Sequence, residues 1–375
     1  MKKVAIIGNS GGNMVGFRSH LIQYLLNKGV SVYCIAPNYT PTQRATLIQW
    51  GVHLVEYPLS RTGLNPWQDI CSYRALTRCL KNIAPHAVLS CFAKPAIYGT
   101  LAARRAGVPQ VLAMIEGLGY AFTADAQPDS LRKRLVRSIM VQLYRLALPK
   151  ANRVIFLNPD DPRDLLLQNH IRVPQYNILN GIGLNLKEYP YTPVNTSNGI
   201  HFLFVGRLLQ HKGIRDFLKA AELVKKRYPT TLFTVVGGLD DNPTALTQQE
   251  LHYYQEKGIA HFTGVVSNVV DYLKACSVFV LPSYREGLPR STQEAMAVGR
   301  AVITTEVPGC KETVTHGVNG FLVPVASPQA LADAMCKFVQ ETQLITQMGD
   351  VSYQMACQRY DAHKINAQLW EWLAQ

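Results

Sequence analysis

Short runs of β-branched and aromatic residues alternate along the chain with longer stretches whose apolar positions recur every three to four residues. A continuously apolar run has no polar face to turn to water, so it predicts a strand covered on both sides, and the periodic stretch after it predicts the covering helix. In the first half the runs are VAIIG (4–8), VSVYCIA (30–36), HLVEY (53–57), AVLSC (87–91), QVLAMI (110–115) and RVIFLN (153–158). A second series follows in HFLFVG (201–206), TLFTVVGG (231–238), HFTGV (261–265), VFVLP (278–282), AVITT (301–305) and FLVPV (321–325). Repeated strand-helix units build parallel sheets, and two series predict an α/β protein of two doubly wound, Rossmann-like domains. The Pro-, Asn- and Tyr-rich stretch 175–199 interrupts any helical period and sets the join near residue 185. The expected domains are 1–185 and 186–355, with 356–375 a last amphipathic helix that crosses back to the first domain.

At 375 residues and 47% apolar content the chain can bury two cores. No stretch approaches the length of apolar sequence that spans a bilayer. The run VAII near the start is too short for a leader's apolar region and is expected to be the first strand. Eight cysteines without C-x-x-C spacing read as small core residues in a reducing compartment. The formal charge of +13 is unevenly placed: residues 1–180 hold 21 basic and 8 acidic side chains, residues 181–375 hold 17 of each. A one-sided basic field suits a membrane surface, nucleic acid or a phosphorylated substrate. SLRKRLVRSIMVQLYRLALPK (130–150) carries Arg132, Lys133, Arg134, Arg137, Arg145 and Lys150 with no acid, and Leu131, Leu135, Ile139 and Leu143 recur every four positions. Such a helix could lie on an anionic bilayer. The commoner fate of the pattern is a leucine stripe packed on the domain's sheet with the cations in water, and both hold if the basic face alone meets lipid. With no aromatic-basic interleaving and no helix-turn-helix pattern, nucleic acid is not an expected partner.

GNSGGNMVG (8–16) follows the first strand and precedes a helix expected to begin near Phe17, so its backbone N–H groups could face a phosphate. Its spacing is not G-x-G-x-x-G, and the second strand ends in Ala36-Pro37-Asn38 where a dinucleotide site would place a ribose-binding acid. The absence of any Gly-Lys dipeptide excludes a Walker A loop. GRLLQHKG (206–213) places Arg207 and Lys212 on either side of a helix start, a diphosphate clamp by composition. In GGLDDNP (237–243), Gly237 and Gly238 would let a flat ring approach the backbone, while Asp240 and Asp241 read as a solvated turn. SYREGLPRSTQEAMAVG (283–299) reads as a loop and a helix capped by Ser291, with Glu294 in its first turn and Gly299 at its end. Gly287, Leu288 and Pro289 would offer backbone donors to the diphosphate. Glu286 and Glu294 would face hydroxyls, because a carboxylate accepts two hydrogen bonds from a diol.

R-x4-K-G (Arg207, Lys212, Gly213) followed by E-x7-E (Glu286, Glu294) within EGLPRSTQEAMAVGRAVITTEVPGCKE resembles the nucleotide-sugar site of retaining glycosyltransferases of family 4, which have the GT-B architecture of two Rossmann-like domains facing a central cleft. LNP (64–66), IEGLG (115–119) and GG-x-D-x-NP (237–243) resemble, within that family, bacterial enzymes that add an α-linked N-acetylhexosamine to undecaprenyl-diphosphate-linked sugars. The resemblance implies a UDP-sugar donor, with N-acetylgalactosamine favoured over N-acetylglucosamine. It implies a polyprenyl-diphosphate-linked saccharide as acceptor, retention of the α configuration, and work on surface glycans at the inner face of the cytoplasmic membrane. Arg207 and Lys212 would neutralise the leaving diphosphate, Glu286 would touch the donor sugar, Glu294 the ribose, and Gly11 and Gly12 would approach the diphosphate. Where many members carry a histidine after the fifth strand, this chain has Glu116, which could orient the acceptor hydroxyl, act as a base, or hydrogen-bond the Gly-rich loop. With no D-x-D motif, no metal or other cofactor is expected, and protein charge takes the metal's place. The rival readings are a UDP-sugar epimerase on the same fold and a basic nucleic-acid-binding protein.

Overall fold

The computed structural model describes residues 2–60, 65–123, 130–197 and 199–375. Contacts divide the chain into two units. The first is formed by residues up to Phe122, by Ser130–Gly183 and by Ala362–Gln375, and the second is built on Leu184–Asp361. Leu64 of the LNP tripeptide lies outside the described residues.

Among the described residues the first unit carries β1 (Lys3–Ile7), β2 (Ser31–Ile35), β3 (His53–Val55), β4 (Ala87–Cys91), β5 (Gln110–Ile115), β6 (Arg153–Phe156) and β7 (Tyr176–Ile178). They form one parallel sheet in the order β3-β2-β1-β4-β5-β6-β7. β4 and β5 are buried at every position, which is the physical reason for their unbroken apolar sequences. β7 was not foreseen: it is a three-residue edge strand whose Tyr176 and Ile178 are exposed, so it leaves no apolar run to read.

The second unit's sheet holds β8 (His201–Val205), β9 (Leu232–Val236), β10 (His261–Gly264), β11 (Val278–Leu281), β12 (Ala301–Thr305) and β13 (Gly320–Val323). These pair in parallel as β10-β9-β8-β11-β12-β13. Phe217 of the helix Ile214–Arg227 packs on Phe204 and Phe233 of the sheet, and Phe202 and Phe233 are stacked at 5.3 Å. Each buried ring of this kind contributes about 1.5–3 kcal/mol by leaving water. In each sheet the order reverses once, between β1 and β4 and between β8 and β11. Connections leave the two strands at such a point toward opposite faces, which opens a crevice at their carboxyl ends.

Three element boundaries differ from the sequence reading. The first helix begins at Gly11, not near Phe17, because the Ser10 hydroxyl accepts from the Asn13 N–H and caps it there. The helix Arg290–Ala297 is preceded by Pro289 at the capping position, so Ser291 does not cap it and Glu294 lies beyond its first turn. The region 356–375 is not one helix. Gln343–Arg359 belongs to the second unit, and the chain breaks at Tyr360, whose carbonyl accepts from the Leu184 N–H at 2.7 Å. Ala362–Ala374 then packs in the first unit, where His363 meets Tyr24 edge-on and the Trp372 carbonyl accepts from Gln110.

Candidate functional site

The second unit's crevice is flanked by the two loops that the sequence singles out. β8 leads through Gly206–Gly213 to the helix Ile214–Arg227, and β11 leads through Pro282–Pro289 to the helix Arg290–Ala297. The sheet order makes neighbours of residues 74 positions apart: the Lys212 Nζ lies 2.5 Å from the Glu286 Oε1. Ser283 donates its hydroxyl to the same oxygen at 2.7 Å. Tyr284 ties the two loops together, donating its N–H to the His211 carbonyl at 2.8 Å and its hydroxyl to Asp216 at 2.8 Å. Gly213 makes their approach possible. Its φ is +75°, and a Cβ there would stand 2.0 Å from the Pro282 carbonyl oxygen.

Glu294 is held by Arg290, one helical turn earlier, at 2.9 Å and by the Tyr189 hydroxyl at 2.8 Å. Burial, together with the neighbouring Glu294 charge, raises the Tyr189 phenol well above its ordinary value, so it stays a hydrogen-bond donor. His211 was missed by the sequence reading, which weighed only the cations around it. It sits within the electrostatic reach of Lys212, Glu286, Arg207 and Asp240, and burial, then Lys212, lowers its pKa, so it is neutral. Ser283 and Tyr189 were missed as well, since neither carries a charge that marks it.

Arg207 is exposed and lies 3.4 Å from Asp240, which also accepts from the Asn242 N–H at 2.9 Å. Asp240 is therefore a partner of the clamp arginine and not only part of a solvated turn. Gly237 serves a different purpose from the one expected. Its N–H donates to the Gly264 carbonyl, and its Cα abuts the Gly206 carbonyl oxygen, where a Cβ would come within 1.9 Å. Gly238 lies against Val265, and Val265 and Leu239 are both exposed beside it. Of the expected backbone donors at 287–289, Pro289 has no N–H to give, which leaves Gly287 and Leu288.

In the first unit the Gly11 N–H is spent on the Pro37 carbonyl at 3.0 Å, and its Cα packs on Tyr39 and Gln43. Close packing, not an outward-facing donor, explains that glycine, whereas Gly12 is exposed. Glu116, just past β5, is committed to a buried ion pair with Arg18, their side chains 8% and 3% exposed. Burial pushes the Glu116 carboxyl up and Arg18 pulls it back. The Arg18 guanidinium also lies 5.7 Å from the centre of the Phe92 ring. Phe92 takes φ +75°, a conformation that strains any residue with a Cβ, where β4 passes into the helix Ala93–Arg105.

The basic helix Leu131–Ala147 departs from the packing expected of its stripe at three of the four positions, with Leu143 alone half-buried against the core. Val141, Tyr144 and Ala147 face the core, while Leu131, Leu135 and Ile139 are exposed among Arg132 and Arg134. Lys133 is turned inward, 2% exposed, with its Nζ 5.0 Å from the Tyr120 ring centre.

Residues 3–158 match the family model described as glycosyl transferase 4-like, and residues 199–341 match the one described as glycosyl transferases group 1. Among curated proteins, the N,N′-diacetylbacillosaminyl-diphospho-undecaprenol α-1,3-N-acetylgalactosaminyltransferase of Campylobacter jejuni is 28% identical, across 97% of this chain and 96% of that protein. The UDP-Gal:α-D-GlcNAc-diphosphoundecaprenol α-1,3-galactosyltransferase of Escherichia coli is 24% identical, across 73% of this chain and 71% of that protein. Among solved structures, sucrose-phosphate synthase from Thermosynechococcus elongatus superposes with a TM-score of 0.78 at 18% identity, covering 99% of this chain and 98% of that one. Anabaena HepE in complex with UDP and glucose superposes with a TM-score of 0.75 at 19% identity over the whole of both chains. At these identities the two superpositions establish a shared backbone fold.

Proposed function

Because the chain belongs to the group 1, 4-like glycosyltransferases and has their GT-B fold, we propose that it moves an N-acetylhexosamine, N-acetylgalactosamine before N-acetylglucosamine, from its UDP form to an undecaprenyl-diphosphate-linked saccharide. The observation that carries the donor half of this reading is the meeting of Lys212 and Glu286 at the crevice between β8 and β11. The acceptor half rests on similarity along nearly the full chain to an enzyme whose acceptor is of that class.

In this reading Lys212 and Arg207 offset the charge that grows on the diphosphate as the glycosidic bond loosens, with the Gly287 and Leu288 N–H groups beside them. Fixed cations aimed at a leaving diphosphate supply on the order of several kcal/mol, a service that a divalent metal performs elsewhere. Glu286 is held by Ser283 as well as Lys212. When the phosphates draw the lysine, the carboxylate keeps its orientation and accepts from hydroxyls of the transferred sugar. Glu294, steadied by Tyr189 and Arg290, takes the ribose diol. Leu239 and Val265 give the base an apolar seat beside Gly238. Neutral His211 adds a hydrogen-bonding group next to Lys212 without opposing the cations. Transfer proceeds with retention, and the enzyme works from the cytoplasmic face of the membrane, held there by the exposed leucines and cations of the helix Leu131–Ala147.

The test is incubation with UDP-N-acetylgalactosamine and a synthetic undecaprenyl-diphosphate-linked saccharide, with chelator present, followed by NMR of the product. Extension of the acceptor by one α-linked N-acetylgalactosamine is expected. Conversion of the UDP-sugar to its epimer without acceptor, or an absolute need for a divalent metal, would overturn the reading.

A further inference from the structure

We propose that Tyr284 is a positioning residue: its hydroxyl, seated between Gln210 and Asp216, holds the β8 and β11 loops at a fixed spacing once a bound diphosphate has drawn Lys212 from Glu286. The inference rests on the donor reading above and adds to it a side chain that touches no substrate. Lys212 and Glu286 tie their two loops together by pairing with each other at 2.5 Å. A donor that takes the lysine for its phosphates and the carboxylate for its sugar dissolves that tie at the moment when the spacing of the loops matters most. A misplacement of about 1 Å at such a point can cost on the order of a hundredfold in rate. Whatever keeps the spacing must therefore be buried and out of the donor's reach.

Tyr284 meets both conditions, being buried two residues before Glu286. Its N–H donates to the carbonyl of His211, the neighbour of Lys212, at 2.8 Å. Its hydroxyl donates to the Asp216 Oδ2 at 2.8 Å and accepts from the Gln210 Nε2 at 3.4 Å. Lys212 is thereby bracketed, since Gln210, His211 and Asp216 on either side of it in the chain all bond to the one tyrosine. Gln210 is fixed from a further direction as well. Its Oε1 accepts from Arg215 at 2.9 Å, and its N–H donates to the Thr244 carbonyl at 3.0 Å, which joins in the loop after β9 that carries Asp240, the partner of Arg207. Asp216 is buried in the first turn of the helix Ile214–Arg227, where unpaired helix N–H groups favour a carboxylate. Burial lifts its carboxyl and the Tyr284 hydroxyl draws it back. Three loops around the crevice therefore share one phenol. Support that is called on only when the lysine has moved onto the phosphates acts on the transition state more than on donor binding, so its loss falls on kcat and leaves KM in place.

The experiment measures kcat and donor KM with UDP-N-acetylgalactosamine and a synthetic undecaprenyl-diphosphate-linked saccharide for the full chain, Tyr284→Phe, Asp216→Asn and Asp216→Ala, and takes a thermal melt of each. Tyr284→Phe is expected to lose kcat at least about tenfold with donor KM within about twofold of wild type. Asp216→Ala should do the same, whereas Asp216→Asn, which still offers the phenol an oxygen, should stay within about threefold of wild type. Wild-type kcat in Tyr284→Phe would overturn the proposal, and so would a raised KM at unchanged kcat, which marks a contact made equally in the ground state. Equal losses in Asp216→Asn and Asp216→Ala would break the hydrogen-bond route, and a fall in kcat no larger than the fall in folded protein would make the tyrosine structural only. Should Tyr284→Phe fail to fold, the contrast between the two Asp216 variants decides. Wild type without turnover or donor binding would take down the donor reading and this one together; an active wild type with an unaltered Tyr284→Phe would overturn this one alone.

Discussion

The 2.0 Å gap between an imagined Gly213 Cβ and the Pro282 carbonyl oxygen leaves no room for even one methyl group, and neither loop can retreat without parting Lys212 from Glu286. Gly213→Ala is therefore expected to lose at least about 2 kcal/mol of second-unit stability, from the clash and the positive φ together, and with it donor binding. Urea unfolding measures this, and wild-type stability in that variant would show the loops to be loose. Glu116→Ala tests a different kind of residue. Removing one partner of a buried ion pair strands the Arg18 charge, at a cost of about 3–5 kcal/mol. A catalytic base without that structural burden would lose turnover and keep its unfolding midpoint. Lys212, Glu286 and Glu294 were legible in the sequence because charge at fixed spacing beside a helix start has few uses. Tyr189, Ser283 and His211 were not, because their value comes from a neighbour 105, 3 and 75 positions away that only the fold supplies. Gly11 was legible as a special position and misread in purpose, since sequence cannot tell a glycine that faces a ligand from one that makes way for Tyr39.

The loop after β9 is held by Arg215, which meets Glu250 at 2.6 Å and donates to the Thr244 and Ala245 carbonyls. Hydrogen bonding to Arg215 depresses the Glu250 carboxyl from its ordinary 4.5 to about 2. A carboxylate with a lowered folded-state pKa adds stability that is complete above its unfolded value and fades as pH falls. Second-unit stability should thus decline between about pH 4.5 and about pH 2, and Glu250→Gln should flatten that limb in a pH series of thermal melts. An unchanged limb in the variant would remove the clamp. The helix Leu131–Ala147 carries the other element-scale prediction: Leu131→Ser with Leu135→Ser should lower binding to anionic vesicles several-fold while leaving the circular dichroism spectrum as it was, because both side chains are exposed. Unaltered co-sedimentation would confine that helix to packing. Lys133 has no place in such a test, since it is buried and its reversal would disturb the core. Strands were legible wherever both faces are covered, as in β4 and β5, and illegible in β7, where exposure removes the pattern. The four-residue spacing of leucines on the basic helix left lipid and core both open, because a periodic stripe does not say what covers it: Leu131, Leu135 and Ile139 are exposed, while Leu143 is half-buried against the core.

On the scale of the whole chain, two parallel sheets recur, each with one reversal of strand order, and each has a candidate phosphate-facing loop, glycine-rich after β1 and cationic after β8. Local physics separates them. The first is capped into a helix by Ser10 and its Gly11 N–H is occupied, while the second keeps Lys212, Arg207 and a hydroxyl-supported carboxylate around one crevice. The charge surplus lies within the first 180 residues, so the cations of the crevice are Arg207 and Lys212 instead, and the proposed function gives that surplus to the surface that would meet lipid. The central claim is that the crevice between β8 and β11 binds an activated sugar through Lys212 and Glu286, and calorimetric titration of UDP-N-acetylgalactosamine tests it most directly. Wild type is expected to bind in a saturable one-to-one manner, and Lys212→Ala to weaken binding about a hundredfold, near 2.7 kcal/mol. No heat of binding in wild type, or the same affinity in Lys212→Ala, would contradict it.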